Sequence, residues 1–575
     1  MDRKSIVAIV LAVVVIGWAQ YQTQQEIQRS RAAQAAAAAQ EAAKATPAPK
    51  AAEKPVEAAP APAVAPAAPI QATPAVAEQK ISLQSPVADY QFTNLGGGIA
   101  SLRLLKHAGS TPGSKMVLNT AASHPIGALL QKPEDADNEG YEVRTERDRV
   151  IFERTLPSGI HITKTYAISQ KAGDDYRVGL TLTYTHRGAT PVQQPASYLF
   201  LGAATPIHAD DIPYYMGFDW FDGKSNAFIT PNWFDASAIP LIGVQTSPAK
   251  SSYTASPGNV AWAGVRDQYF TTLIVPGAGN AQGVWARPVP VKLDSKELKG
   301  VEGFLEIPAL KLQPGESVNQ QFTIYSGPAE HKQLAALGHD AVQMMNLDRW
   351  WITRSVGSLL LRSMIFLEGF LHSYAWAIIV LTFIVRGLLW PVQGKANRSM
   401  KRMQLLMPKQ TELREKYKDD PARMNQEVMK LYKDYGVNPV SGCLPMLIQI
   451  PIFIGFYSML GTAVELRGAS FLWVHDLSRP DTVAHLAGIP LNILPLMMAA
   501  TMIWQMQLTP KTGDPAQQKM MMFMPLIFVF VTYNFASALA LYYTVQNILS
   551  IFQLYVTRNQ PMPQLARVDA KKNRR

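Results

Sequence analysis

The sequence predicts a polytopic α-helical membrane protein of six spans that carries a large all-β domain outside the cytoplasm. Three observations carry this expectation. Apolar runs gather at the extreme N-terminus and in the C-terminal third. Period-two alternation fills the stretch between them, and lysine and arginine concentrate in one set of connecting segments. A near-zero mean hydropathy conceals the division, because a polar middle averages against a greasy end. Cys443 is the single cysteine of 575 residues, which excludes an intrachain disulfide, a CxxC metal site and a redox pair.

Asp2, Arg3 and Lys4 precede the apolar run Ile6–Ala19. Gly17-Trp18-Ala19 offers a small-x-small cleavage pattern, so a signal peptide and an anchor are both open; we read residues 1–21 as an uncleaved anchor entering from inside. Residues 22–80 are rich in alanine and proline and bury too little apolar surface to fold, which makes them a tether.

From 81 to 345 the chain reads as a β-sandwich. Val178, Leu180, Leu182 and Tyr184 alternate with Gly179, Thr181 and Thr183; Val150 and Phe152, then Ile160 and Ile162, repeat the pattern around a turn at Pro157-Ser158-Gly159. Asn94-Leu95-Gly96-Gly97-Gly98 marks another turn. Residues 346–372 form an intermediate case. Arg354, Ser358 and Arg362 make a polar stripe at i, i+4, i+8 on a greasy helix, which suits a helix lying on the outer leaflet.

Spans follow at about 374–391, 443–461 and 491–508, and then a run at 520–556. As one helix that last run would be ~55 Å long against ~30 Å of hydrocarbon, so it must be two helices turning near Asn534–Ser537. With the anchor this makes six spans, within a core of 373–560, and puts both termini on one side. The positive-inside rule agrees. Segment 392–438 holds Lys395 through Lys433, eleven basic residues, and the tail 561–575 holds Arg567, Lys571, Lys572, Arg574 and Arg575. The opposite loop Glu465–Pro490 has only Arg467 and Arg479. Most of the net charge of +11 is therefore topological, and no specific nucleic-acid site is expected.

Segment 392–438 reads as a cytoplasmic helical hairpin, with Asp420-Pro421 as N-cap and first-turn proline and Gly436 as the stop. It is either a plain connector or a mobile docking arm. Sixteen of the 22 methionines lie after residue 391, which fits either adaptable surfaces for varied apolar partners or ordinary gap-filling.

Arg386 is the sharpest single signal. It sits inside the apolar run Tyr374–Trp390, and no downstream span offers an Asp or Glu to pair with it. A guanidinium stays charged, and placing it mid-span costs ~2.5–3.5 kcal/mol. It must reach water, by snorkelling to the inner surface or by lining a wet cavity. Thr382 shares its face; Gln449, Gln505, Tyr542 with Gln546, and Tyr543 with Asn547 add polar groups in later spans. Amides of this kind also simply join helices.

No enzymatic signal stands up. Gly217–Ser225 imitates a phosphate loop with the wrong spacing, and the histidines of the β region lack metal-ligand spacing. No catalytic residue, metal or cofactor is expected.

Several stretches together resemble the YidC membrane protein insertases in their long, Gram-negative form. They are Thr382-Phe383-Ile384-Val385-Arg386-Gly387, Asn438-Pro439 to Gly442-Cys443 with Gln449-Ile450-Pro451-Ile452-Phe453, Val464-Glu465-Leu466-Arg467, Trp473-Val474-His475-Asp476-Leu477-Ser478 and Leu541-Tyr542-Tyr543. The resemblance implies a five-helix insertase core in the bacterial inner membrane and a periplasmic β-supersandwich, with no enzyme activity. It implies a groove open to cytoplasm and lipid, with Arg386 receiving polar parts of a client, Thr382 and Tyr543 at sensitive positions and Phe453 facing clients. The expected client-binding set is thus Arg386, Thr382, Gln449, Phe453, Gln505, Tyr542 and Tyr543. Expected partners are nascent integral membrane proteins, the Sec translocon (SecDF and SecYEG), the ribosome through hairpin 392–438 and the basic tail, and membrane lipids. A small-solute transporter and a membrane-tethered periplasmic carbohydrate-binding protein are the rival readings. One departure stands out: the turn between the last two spans is Phe535-Ala536-Ser537-Ala538, without the family's Pro-Ser-Gly.

Overall fold

The computed structural model describes residues 77–558, apart from 110, 112, 136–139, 170–172, 209–210, 239–244, 294–295, 346–350, 419, 438–443, 487–488 and 510–524. The expected anchor, most of the tether, the 17–19 cleavage pattern and the basic tail lie outside the described residues.

Alternation of apolar and polar side chains builds the β region. Ile160–Ile168 and Arg177–His186 each bury every second residue, and they pair antiparallel with Ile168 opposite Val178. They belong to a nine-stranded sheet running from Asn226–Ile229 at one edge to Glu142–Glu146 at the other. A five-stranded sheet containing Ser197–Ala204, Gly283–Leu293 and Lys296–Ile307 packs across it. The shared core includes Leu199, Leu201 and Leu305 from one sheet and Phe218, Val265 and Leu273 from the other. Gly303 is needed at this contact, because a Cβ there would lie 2.5 Å from the Phe218 ring. A four-stranded sheet, Lys80–Gln84 to Lys115–Leu118, completes the region. The imitation phosphate loop is a β-hairpin: Gly217–Phe221 runs antiparallel to Asn226–Ile229, and Asp222 Oδ1 accepts the Lys224 and Ser225 amides in the turn.

Lys164 is fully buried in this domain. Its Nζ donates to the carbonyls of Gly96 (2.7 Å), Gly97 (3.3 Å) and Gly127 (3.1 Å) and lies 4.4 Å from the Tyr141 ring centroid. The glycines at 96 and 97 take positive φ, which points their carbonyls inward.

A short helix, α1 (His331–Leu337), ends the β region. The helical core follows as α2 (Trp351–Leu371), α3 (Tyr374–Lys416), α4 (Pro421–Asp434), α5 (Leu444–Thr462), α6 (Ile493–Leu508), α7 over 525–532 and α8 (Ser537–Arg558). α3 runs unbroken through the expected span boundary at 391/392, so that stretch and the first hairpin helix form one continuous helix of 43 residues. Among the described residues it is the helix that is long and apolar enough by composition to cross a membrane, with α6 a shorter apolar helix.

The hairpin tip, residues 408–436, is a separate compact unit. Asp420 caps α4 by accepting the Arg423 amide at 3.0 Å, Pro421 opens the first turn, and Gly436 ends it at φ 60°. Val428 and Tyr432 are buried, Tyr432 Oη donates to Gln410 Oε1 at 3.2 Å, and Lys409 Nζ donates to Tyr435 Oη.

The turn without proline or glycine between α7 and α8 borrows its partners. Phe535 N donates to Thr532 O, while Ser537 N and Ala538 N donate to the Arg479 and Leu477 carbonyls of the preceding loop at 2.8 and 3.0 Å. The loop supplies what the turn sequence lacks.

Candidate functional site

Arg386 projects from α3 and is 6% exposed. Its Nη2 donates to Ser550 Oγ of α8 at 2.6 Å, the one protein hydrogen bond it makes among the described residues. Its Nε is buried and has no hydrogen-bond partner there. Thr382, one turn earlier and buried, donates to Ile378 O of its own helix at 2.7 Å.

α8 supplies the rest of a polar seam. Tyr542, Gln546 and Ser550 recur at i, i+4, i+8 and so share a face. Ser550 Oγ donates to Gln546 O at 2.8 Å, Gln546 Nε2 donates to Gln449 Oε1 of α5 at 3.2 Å, and Gln449 Nε2 donates to Tyr542 Oη at 3.3 Å. The seam therefore runs from Arg386 through Ser550 and the two amides to Tyr542, with no carboxylate in it among the described residues. Asn547, on the neighbouring face, donates to Thr501 Oγ1 of α6 at 3.1 Å and ties the two helices.

An aromatic wall flanks the seam. Tyr542 stacks on Phe456 at 4.0 Å between ring centroids, and Phe453, Phe528 and Tyr543 meet at 5.0–6.3 Å. On the side of the basic segment, Gln553 Nε2 donates to Trp390 O and Lys401 Nζ to Thr557 O, which zips α3 to α8.

The opposite end is densely bonded. Trp473 Nε1 and Leu494 N both donate to Asp481 Oδ2, Asn492 Nδ2 donates to Tyr533 O, and Tyr533 Oη donates to Pro490 O. The β domain docks on this cap. Gln268 Nε2 donates to Gly461 O at 2.6 Å, Tyr269 Oη to Ser478 O at 3.2 Å, and Arg467 Nη1 to Ala108 O at 2.7 Å with its guanidinium over the Phe270 ring. Burial pushes Asp267 and Glu465 at this junction up to about 7 each, and the Tyr269 and Phe270 amides that Asp267 accepts pull only partly the other way.

Six of the seven expected groove residues come together: Arg386, Thr382, Gln449, Phe453, Tyr542 and Tyr543. Gln505 is half-buried on α6, and no hydrogen bond of its side chain among the described residues reaches the others. Ser550 was missed, although its spacing from Tyr542 and Gln546 is visible in the sequence. Arg467 was counted only as loop charge and in a motif; nothing near it in sequence signals a partner 359 positions away.

A β domain docked on the capped end of a helical core, whose polar seam holds no carboxylate among the described residues, defines a two-part class: an apolar helical core that carries a β domain. Two family descriptions match, "60Kd inner membrane protein" over residues 366–564 and "YidC periplasmic domain" over 80–354. The proteins named Membrane protein insertase YidC from Syntrophus aciditrophicus and Burkholderia multivorans are each 31% identical to this chain. The first match covers 86% of this chain and 87% of that protein, the second 85% and 86%. The chain belongs to the YidC family of membrane protein insertases. A solved YidC insertase structure matches 84% of this chain and 94% of its own at 18% identity and a TM-score of 0.34.

Proposed function

We propose that this chain inserts integral membrane proteins into the bacterial inner membrane and assists their folding and assembly, using the seam around Arg386 as a groove wetted from the cytoplasm. The observation that carries this reading is Arg386 itself, buried, with no carboxylate on it among the described residues and one serine hydroxyl as its hydrogen-bond partner there. A guanidinium has five donors, and leaving a buried donor unmade costs ~1–3 kcal/mol, more when charged. Water or a client's polar group completes the set.

The mechanism follows from that charge. Water and a fixed cation lower the cost of bringing a client's polar, often acidic, tail part-way across. The bonded cap and docked β domain keep the far side shut. The client's apolar segment then slides along the wall of Phe453, Phe528 and Tyr543 into lipid, driven by ~0.8 kcal/mol per buried CH₂. The membrane potential assists acidic tails by ~2.3 kcal/mol per charge per 100 mV. ATP is not required.

The same reading sets the topology at six spans with both termini cytoplasmic. α3, at 43 residues and ~65 Å, is about twice the length one crossing needs, so its basic C-terminal half belongs to the cytoplasmic hairpin 392–438. That hairpin and the tail 561–575 are the surfaces for the ribosome and incoming clients, and the Sec translocon is the neighbour in the membrane. α2 lies on the outer leaflet.

The test is reconstitution of the pure chain in liposomes with a short client and no Sec components. Insertion is expected, and Arg386→Ala should slow clients with acidic tails about tenfold while sparing uncharged ones. Equal loss for both would count against electrostatic reception.

A further inference from the structure

Ile212 and Tyr214 are the large apolar side chains left exposed among the described residues of 77–345, at 38% and 56%. They stand on one turn, with Pro213 exposed between them. Three consecutive apolar residues on an exposed turn are what a surface facing only water avoids. The turn is firmly built. Asp211 Oδ2 accepts the Ile207 and His208 amides at 2.7 and 2.9 Å, and Pro213 opens a single turn of 3₁₀ helix, Pro213–Tyr215. The Tyr215 amide donates to Ile212 O at 3.1 Å, so the three residues point outward while Tyr215 turns in and is buried.

The helical core stands beside this turn. A Cβ on Gly461 would lie 2.8 Å from the Tyr215 hydroxyl, so glycine is needed there for the ring to rest on α5. Gly461 is the last residue but one of α5. Ile212 and Tyr215 share the wall of a cavity of about 210 Å³ with Tyr457 of α5 and with Phe535, just beyond α7. α7 leaves Leu526, Ile527, Phe530 and Val531 exposed, Phe530 at 85%. An apolar face of that size on a spanning helix is covered by lipid. The turn Ile212-Pro213-Tyr214 prolongs this face at its outer end. Tyrosine suits that level, because its ring is apolar and its hydroxyl polar.

We propose that Ile212-Pro213-Tyr214 is a membrane foot of the β domain, entering the boundary between headgroups and acyl chains of the outer leaflet beside the last turn of α5. Its partner is the lipid surface itself. With the hydrogen bond from Gln268 to Gly461, the foot gives the domain a second point of support and fixes its height over the core. The inference rests on the six-span reading, which puts the end of α5 at the outer surface, and is independent of water at Arg386.

The test uses the full chain with Cys443→Ser in liposomes of phosphatidylethanolamine and phosphatidylglycerol, carrying bimane on one introduced cysteine: Tyr214→Cys, Leu472→Cys or Thr145→Cys. Leu472 is 76% exposed next to Phe471, whose ring meets Trp376 in the first turn of α3 at 5.9 Å, so it reports the outer boundary from the core alone. Thr145 is exposed on Glu142–Glu146, the far edge of the nine-stranded sheet, and reports water. Lipids bearing a doxyl quencher near the headgroup should quench 214 and 472 alike, at least about threefold more than 145, with aqueous iodide giving the reverse order. Adding Ile212→Glu should bring lipid quenching at 214 down by about threefold while leaving 472 unchanged. Lipid quenching at 472 but not at 214 would overturn the foot and leave the topology standing. Iodide quenching at both would overturn the two together. Protection of 214 from both quenchers would mean that protein covers the turn, and unchanged lipid quenching with Ile212→Glu would mean that the turn does not enter lipid; either would overturn the assignment.

Discussion

Two buried cations sit in different parts of this molecule and are held in different ways. In the β domain, Lys164 spends its three N–H donors on three backbone carbonyls and rests against Tyr141. In the helical core, Arg386 has more donors and fewer partners: one serine hydroxyl, with Nε left over. The first arrangement is complete within the protein and serves to pin the turn at Gly96-Gly97 to the sheet. The second is incomplete among the described residues, and on the proposed function that difference separates a structural charge from one held ready for a client.

The comparison can be broken by exchanging consequences. Lys164→Met should be the largest stability change, because it strands the buried carbonyls of Gly96 and Gly127 while Gly97 O keeps the Tyr166 hydroxyl; a loss of about 2–5 kcal/mol is expected in chemical denaturation of the β domain within the full chain. Arg386→Met should do the reverse, leaving stability within about 1 kcal/mol of the parent while insertion of acidic-tailed clients falls about tenfold. If Arg386→Met unfolds the core as Lys164→Met unfolds the domain, the two cations are both structural.

Ser550→Ala sharpens the contrast. It removes the one acceptor that Arg386 has among the described residues and should slow insertion about two- to fivefold, an effect of up to about 1 kcal/mol, with little change in melting. A smaller effect belongs to the junction between the two regions. Asp267 and Glu465 titrate near 7 in the folded chain, against ordinary values of 3.8 and 4.5. The folded state therefore binds their protons more tightly than the unfolded state. Their stabilising contribution is full below those ordinary values and is lost as pH rises through 7. Melting temperature should fall by a few degrees between pH 5 and 8, and Asp267→Asn with Glu465→Gln should flatten that slope.

Legibility in the sequence follows the same division. Strands such as Ile160–Ile168 were readable because burial on one face forces period two. The hairpin caps at Asp420-Pro421 and Gly436 were readable because capping chemistry is local. The turn after α7 was placed by bilayer thickness alone, yet its hydrogen-bond partners at Leu477 and Arg479 lie some 60 residues away and left no local trace. The continuity of α3 past the expected end of the first core span was not legible, for a physical reason. Charge after Trp390 marks where hydrocarbon stops, whereas the lysines, arginines, methionines and glutamines of 392–416 are good helix formers and carry α3 onward. Around Arg386, the residues came from the sequence, but Ser550 escaped because the α8 stripe was followed only as far as Gln546. The docking of Arg467 on Ala108 and Phe270 was invisible for want of any periodicity linking loop to domain.

Water at Arg386 is the point on which the insertase account turns, and Thr382, one turn away on α3, is the place to measure it. With Cys443 replaced by serine and Thr382 by cysteine, a membrane-impermeant thiol reagent should label position 382 when added from the cytoplasmic side and leave it unlabelled from the periplasmic side. Protection from both sides, with the protein folded and active, would mean a dry, packed seam and would contradict the account.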